Sequence, residues 1–146
     1  MPTSPTLEDL AQAAERLNRS PPLAHAGVRV FFPSLDLVVA ELPEVRAEHR
    51  GGLGTDAVNG GVLAAVFDLV TGCTALLVDP RRPSATVQLS MSFERPVLGD
   101  SLRAEGRIDT QGRRTLFASA RILDARGQLC ARCQAVVALA RSSSRS

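Results

Sequence analysis

The chain has 146 residues, 45% of them hydrophobic and 22% charged, and a formal net charge of +2. This is the balance of one ordinary globular domain with chain enough to bury a core, and so weak a charge excludes the basic footprint of a nucleic-acid binder. Three cysteines and an opening MPTSPTLEDL without a basic or apolar leader region predict a reducing, cytoplasmic setting rather than a secreted disulfide scaffold.

Pro5 and Thr6 open a short amphipathic helix with Leu7, Leu10, Ala14 and Leu17 on one stripe. Ser20-Pro21-Pro22 is expected to end it. Residues 1–25 then form an N-terminal helical segment, 26–140 the main domain and 141–146 a polar, disordered tail. One helix there cannot make a helix-turn-helix. Strands are predicted over 27–32 and 35–42, parted by Pro33-Ser34, and a glycine-rich loop with Gly51, Gly52 and Gly54 follows from 43 to 58.

The stretch 58–80 reads VNGGVLAAVFDLVTGCTALLVDP, and from Gly60 through Val78 its one charge is Asp68. The run is almost long enough to span a bilayer. A carboxylate at its midpoint is costly in lipid, no basic cluster flanks it, and Asp79-Pro80 stops it sharply. It therefore reads as a helix buried on nearly every side in a soluble protein, capped by Asn59 and wrapped by the strands downstream.

After Pro83 the period becomes two. Val87, Leu89, Met91 and Phe93 alternate with Thr86, Gln88, Ser90 and Ser92, which places Thr86 on the polar face. Turns at Gly99-Asp100, Gln111-Gly112 and 124–127 separate three more alternating runs, with apolar positions at Leu102 to Ile108, Leu116 to Ile122 and Leu129 to Leu139. Four strands joined by short turns predict an antiparallel meander. The fold class is thus α+β, an antiparallel sheet wrapped around one long central helix.

Asn59-Gly60-Gly61, with Asp68 nine positions after the asparagine and Phe93-Glu94-Arg95-Pro96 downstream, resembles the hotdog-fold acyl-CoA thioesterases of the phenylacetate-pathway (PaaI-like) type. The Gly112-Arg113 turn and the Asp124–Gly127 turn match as well, so the resemblance runs from about residue 26 to 140. Two departures stand out. Asn59 occupies the place of the family's histidine, and the loop amide found upstream in relatives has no counterpart among the glycines.

The resemblance implies a cofactor-free thioester hydrolase acting on an acyl-CoA substrate. Gly60 would present its backbone N–H to the oxyanion, with Gly61 beside it against the substrate, since a helix N-terminus favours negative charge and glycine admits a carbonyl closely. Asp68 would be general base or nucleophile. Thr86 would orient the nucleophile, and Asn59 would cap the helix or contact the thioester. A homodimer or homotetramer is implied, with Gly60 and Asp68 from different chains meeting at each site.

All 17 basic residues are arginines, a mark of codon bias. Arginines near the strand ends, including Arg81, Arg82, Arg95, Arg113 and Arg114, could meet the CoA phosphates, because guanidinium pairs with phosphate bidentately; Arg113 and Arg114 beside Gly112 are preferred. Cys130 and Cys133 lie three apart, so on a strand their sulfurs face opposite ways. No second pair completes a zinc site, and His25 and His49 lack ligand spacing, so no metal is expected. Three rivals remain open: a non-catalytic acyl-CoA-binding module; a hydratase or dehydratase, which lacks its partnering histidine; and a structural protein with a degenerate site, which would neither bind nor turn over an ester. Neither nucleic acid nor membrane is expected as a partner.

Overall fold

A computed structural model of the chain describes residues 4–141; the tail expected to be disordered lies, from 142 on, outside them. Helix α1, Leu7–Asn18, starts at Thr6, whose hydroxyl accepts the Asp9 N–H while the Asp9 carboxylate accepts the Thr6 N–H. This reciprocal cap holds two amides the helix cannot satisfy itself. Leu10 carries the buried face into the core, and the Asn18 amide pairs with both backbone groups of Val30.

Ser20-Pro21-Pro22 ends α1 but also begins α2, Pro21–Ala26. Proline suits the first helical position, where its missing N–H has no partner to lose. Strand β1, Arg29–Ser34, and β2, Leu37–Leu42, follow, each starting two residues later than expected. Pro33 lies inside β1, which is tolerated because β1 is an edge strand.

Helix α3, Gly60–Gly72, continues as a 3₁₀ segment, Cys73–Leu77. Its buried residues Leu63, Val66, Phe67, Val70 and Thr71 recur at helical spacing and face the sheet. Thr71 and Thr74 bond back to the carbonyls of Phe67 and Thr71, as expected of packing hydroxyls. The opposite face is a correction to the fully buried reading. Gly60, Gly61, Ala65 and Asp68 are exposed, so this chain alone covers one side of the helix. The 18 residues from Gly60 to Leu77 are long and apolar enough to cross a membrane by length and composition, and half of them are buried inside the fold.

The remaining strands are β3, Ser84–Phe93, β4, Leu102–Gln111, β5, Thr115–Asp124, and β6, Leu129–Leu139. With β1 and β2 they make one antiparallel sheet in the order β1-β2-β4-β5-β6-β3. The expected four-strand meander is therefore three strands, β4-β5-β6. Chain segment 94–101 carries β3 to the far edge, beside β6. Alternation sets which face of a strand is buried but not which strand lies next to it. The sheet packs on α3 closely at Gly106, where an added Cβ would lie 3.1 Å from the Val70 carbonyl oxygen.

The second correction is in β3. Thr86 pairs with Val137 but Gln88 with Val136, so Val87 is an extra, bulged residue. It is 61% exposed, and the phase of the strand flips across it. Thr86 consequently shares the inner face with Leu89 and Met91, not the polar face. A second bulge at Cys130, between the pairs Ile122–Ala131 and Leu123–Leu129, lets Cys130 pack into the same core as Cys133. The two sulfurs do not divide between the faces.

Candidate active site

The helix entrance is built from backbone. The Asn59 N–H donates to the His49 carbonyl at 2.8 Å, and the Val58 N–H to the Val97 carbonyl at 3.0 Å, tying the start of α3 to two loops. His49 is 5% exposed. Its Nδ1 accepts the Arg46 N–H at 2.9 Å, which leaves Nε2 to donate to the Ala26 carbonyl at 2.8 Å. This histidine is a loop staple rather than an acid or base facing a substrate.

Asn59 does what a cap requires. Its Oδ1 accepts the Gly61 N–H at 2.8 Å, and its Nδ2 donates to the Gly51 carbonyl at 3.0 Å. The carbonyl of Asn59 accepts from Val62 and Leu63. Among the described residues the Gly60 N–H bonds to nothing, and it lies at the positive end of the helix. The two glycines differ. A Cβ at Gly61 would sit 3.0 Å from Asn59 Oδ1, whereas one at Gly60 would meet nothing within 4 Å. Folding of this chain does not need a glycine at 60.

Gly60 opens on a hollow of about 270 Å³ shared with Val58, Leu63, Phe93, Arg95 and Pro96. A second hollow of about 370 Å³ continues from Arg95 and Pro96 to Leu98, Asp124 and Arg126.

Asp68 stands apart from this entrance. It lies eight positions along the helix from Gly60, a rise of about 12 Å, so within one chain the two cannot act on one carbonyl. Its exposed carboxylate shares a face with Gly61, Ala65 and Gly72. Thr86 comes up to that face from β3, with its hydroxyl 3.6 Å from where a Gly72 Cβ would be. The inward turn of Thr86 depends on the Val87 bulge, which no periodicity announces.

Arg113 and Arg114 lie at the other end of β3 from Gly60. The Arg113 carbonyl accepts from the Arg82 guanidinium at 2.9 Å, and the Arg114 carbonyl from the Leu139 N–H, opposite Ser84. Arg126 is the basic residue beside the entrance that sequence reasoning passed over; its signal was its place in the turn after Asp124. Burial pushes the Cys73 thiol up to about 12, with the charge of Asp68 adding to it, and burial likewise raises Cys133 to about 12. Neither is a nucleophile at neutral pH. No group of His, Cys, Asp and Glu among the described residues is arranged to hold a metal.

The family model for the thioesterase superfamily matches residues 56–131, from the glycine loop into β6. Among solved structures, a protein of the thioesterase superfamily is 29% identical, with a TM-score of 0.80 over 90% of this chain and 98% of its own. A thioesterase from Haemophilus influenzae, 18% identical, gives 0.78 over 95% of this chain and 93% of its own. The PaaI protein from the phenylacetic acid degradation operon of E. coli, 17% identical, gives 0.76 over 92% and 96%. The last two likenesses are of fold, and with them the expected hotdog architecture holds. No curated protein matches the sequence.

Proposed function

The chain belongs to the thioesterase superfamily, and we propose that it hydrolyses acyl-CoA thioesters to a carboxylate and CoA. The observation that carries this reading is the Gly60 N–H, unpartnered among the described residues, at a helix N-terminus and facing a hollow. A thioester carbonyl seated there would develop its negative charge against that donor. Asp68 from a second copy would take a proton from the attacking water, or attack the carbonyl carbon itself to give a mixed anhydride that water then opens. In either route the C–S bond breaks, and CoA leaves as thiolate and takes up a proton.

Two features support the second copy. The approximately 12 Å between Gly60 and Asp68 in one chain rules out their cooperation within it. Edge strand β3, ten residues without a charge or proline, is an unpaired ladder that seeks another strand. Two chains pairing along β3 about a two-fold axis would bring the small exposed residues Gly61 and Ala65 of both helices together. Each Asp68 would then face the other chain's Gly60. The three cysteines are free and buried, in keeping with the reducing cytoplasm where CoA esters are found.

A second reading, a non-catalytic acyl-CoA-binding module, draws on Asn59. Both ends of its amide are held by backbone, which favours its capping role over a substrate contact in place of the histidine of relatives. Thiol release from a panel of aryl, short-chain and medium-chain CoA esters, with wild type and Asp68→Asn, decides between them. Turnover abolished in Asp68→Asn supports the hydrolase; CoA binding without turnover of any ester selects the binding module.

A further inference from the structure

We propose that Leu53 lies against the acyl group of the bound thioester, so that the site takes longer apolar or aryl groups in preference to acetyl; this rests on the hydrolase reading of Gly60 and names the acyl class.

Residues 51–54 read Gly-Gly-Leu-Gly, and all four have positive φ, at 91°, 85°, 56° and 79°. Glycine enters this left-handed region freely, whereas a side chain crowds the backbone there. Leu53 is the one residue other than glycine in that region among the described residues. It is also fully exposed, so no contact within the chain offsets either its conformation or the water around it. A strained, uncovered leucine beside a site points to something that the site binds.

The loop that carries Leu53 is held in place. The Gly51 N–H donates to the Ala57 carbonyl at 2.9 Å, the Ala57 N–H to the Thr55 hydroxyl at 3.1 Å, and Arg50 and Val58 bridge at its base. Asn59 fixes loop and helix entrance with one amide, through Gly51 on one side and Gly61 on the other. A Cβ on Gly52 would lie 3.1 Å from Asn59 Nδ2, and the Leu53 Cα is about 3.8 Å further along the chain. Leu53 is therefore one residue from backbone packed on the amide that precedes the Gly60 N–H.

The hollow beside Gly60 is lined by Glu94 and Arg95 as well as Phe93 and Pro96, and by no residue of 51–57. The loop thus borders the carbonyl site from another side, and its one large apolar side chain is Leu53. The polar, phosphorylated arm of CoA gains nothing from a leucine; a hydrocarbon acyl group does. Acetyl ends one carbon beyond the carbonyl, too short to reach it. One leucine between glycines offers far less than the roughly 800 Å² per partner of a stable protein interface, so a ligand of a few carbons fits it better than another chain.

The test measures kcat/KM for acetyl-, butyryl-, hexanoyl- and benzoyl-CoA in wild type, Leu53→Gly and Leu53→Met. Leu35→Ser, at an exposed leucine in the β1–β2 turn, is the control. Glycine suits the φ at 53, so Leu53→Gly should fold as wild type does. It should lose roughly ten- to a hundredfold on the hexanoyl and benzoyl esters, the range for burying one leucine side chain. Acetyl-CoA should be turned over as before, Leu53→Met should restore most of the loss, and Leu35→Ser should match wild type. By calorimetry, a non-hydrolysable hexyl thioether of CoA should bind more tightly than CoA, and Leu53→Gly should shrink that increment by the same factor.

An unchanged hexanoyl-to-acetyl ratio in Leu53→Gly overturns the proposal and leaves the hydrolase reading standing. An equal loss on every ester overturns it too; if the mass in sedimentation then falls to the monomer, Leu53 anchors the subunits instead. If wild type turns over no ester but Leu53→Gly loses the hexyl increment, the hydrolase reading fails and the acyl contact survives. No turnover and an unchanged increment sink both.

Discussion

Asn59 Oδ1 accepts the Gly61 N–H at 2.8 Å, and with that bond made, the Gly60 N–H is the first-turn donor left facing out of the helix. The same side chain reaches Gly51 through Nδ2. One residue therefore caps the helix and anchors the glycine loop. Asn59→Ala should lower unfolding stability by about 1 kcal/mol, the usual loss for a removed cap. Asn59→Asp should keep the cap and recover most of that stability in urea titrations.

Gly60 is the first residue of α3, and its neighbour Asn59 has ψ 139°, a conformation that a following proline accepts. Proline at the first helical position removes the N–H and leaves the helix intact. Gly60→Pro should fold normally yet lose roughly a hundredfold or more of kcat, as for loss of one oxyanion donor. Asp68→Asn should lose a comparable factor. Mixing the two variant chains should restore activity, because a mixed dimer pairs one intact Gly60 with one intact Asp68. No restoration would place both residues of a site in the same chain, or neither in a site.

Ala65 is exposed on the helix face that carries Gly61 and Asp68. Nothing within the chain opposes an arginine there, but a second helix would. Ala65→Arg should leave the protomer folded by circular dichroism, shift the mass in sedimentation to the monomer, and abolish thiol release with it.

Gly106→Ala tests the contact between sheet and helix. The added Cβ would lie 3.1 Å from the Val70 carbonyl oxygen and 3.2 Å from Val70 Cγ2. Overpacking of this kind costs about 1–3 kcal/mol, and the thermal midpoint should fall accordingly. A neutral result would mean that α3 can move off the sheet without penalty.

Glu105 lies on the outer sheet face between Arg103 at 3.2 Å and Arg121 at 2.9 Å. Burial pushes its carboxyl up, but the hydrogen bonds and charges of Arg121 and Arg103 together outweigh that and hold it below the ordinary 4.5. A depressed carboxylate adds stability above its unfolded-state value and loses it as pH falls through the folded-state value. Glu105→Gln should therefore be less stable than wild type by about 1 kcal/mol at pH 7. The difference should shrink as the pH drops below 4.5 and vanish once Glu105 is protonated.

The chain's own pattern determined much of this protein. Asn59 before two glycines and a long apolar run announced a capped core helix, because a side-chain oxygen there satisfies amides that the helix cannot. Alternating residues from Leu102 to Leu139 announced strands with one buried face, because a strand's side chains change sides at every residue. Local rules reach that far. Tertiary structure decided the placing of β3 beside β6, the Val87 bulge that turns Thr86 inward, the half of α3 left uncovered, and the lining of one hollow by both Arg95 and Arg126. Each of these depends on which distant segment lies alongside, and backbone pairing is blind to side-chain period. Hydrophobicity states that a face must be covered; only packing determines whether this chain or another one covers it.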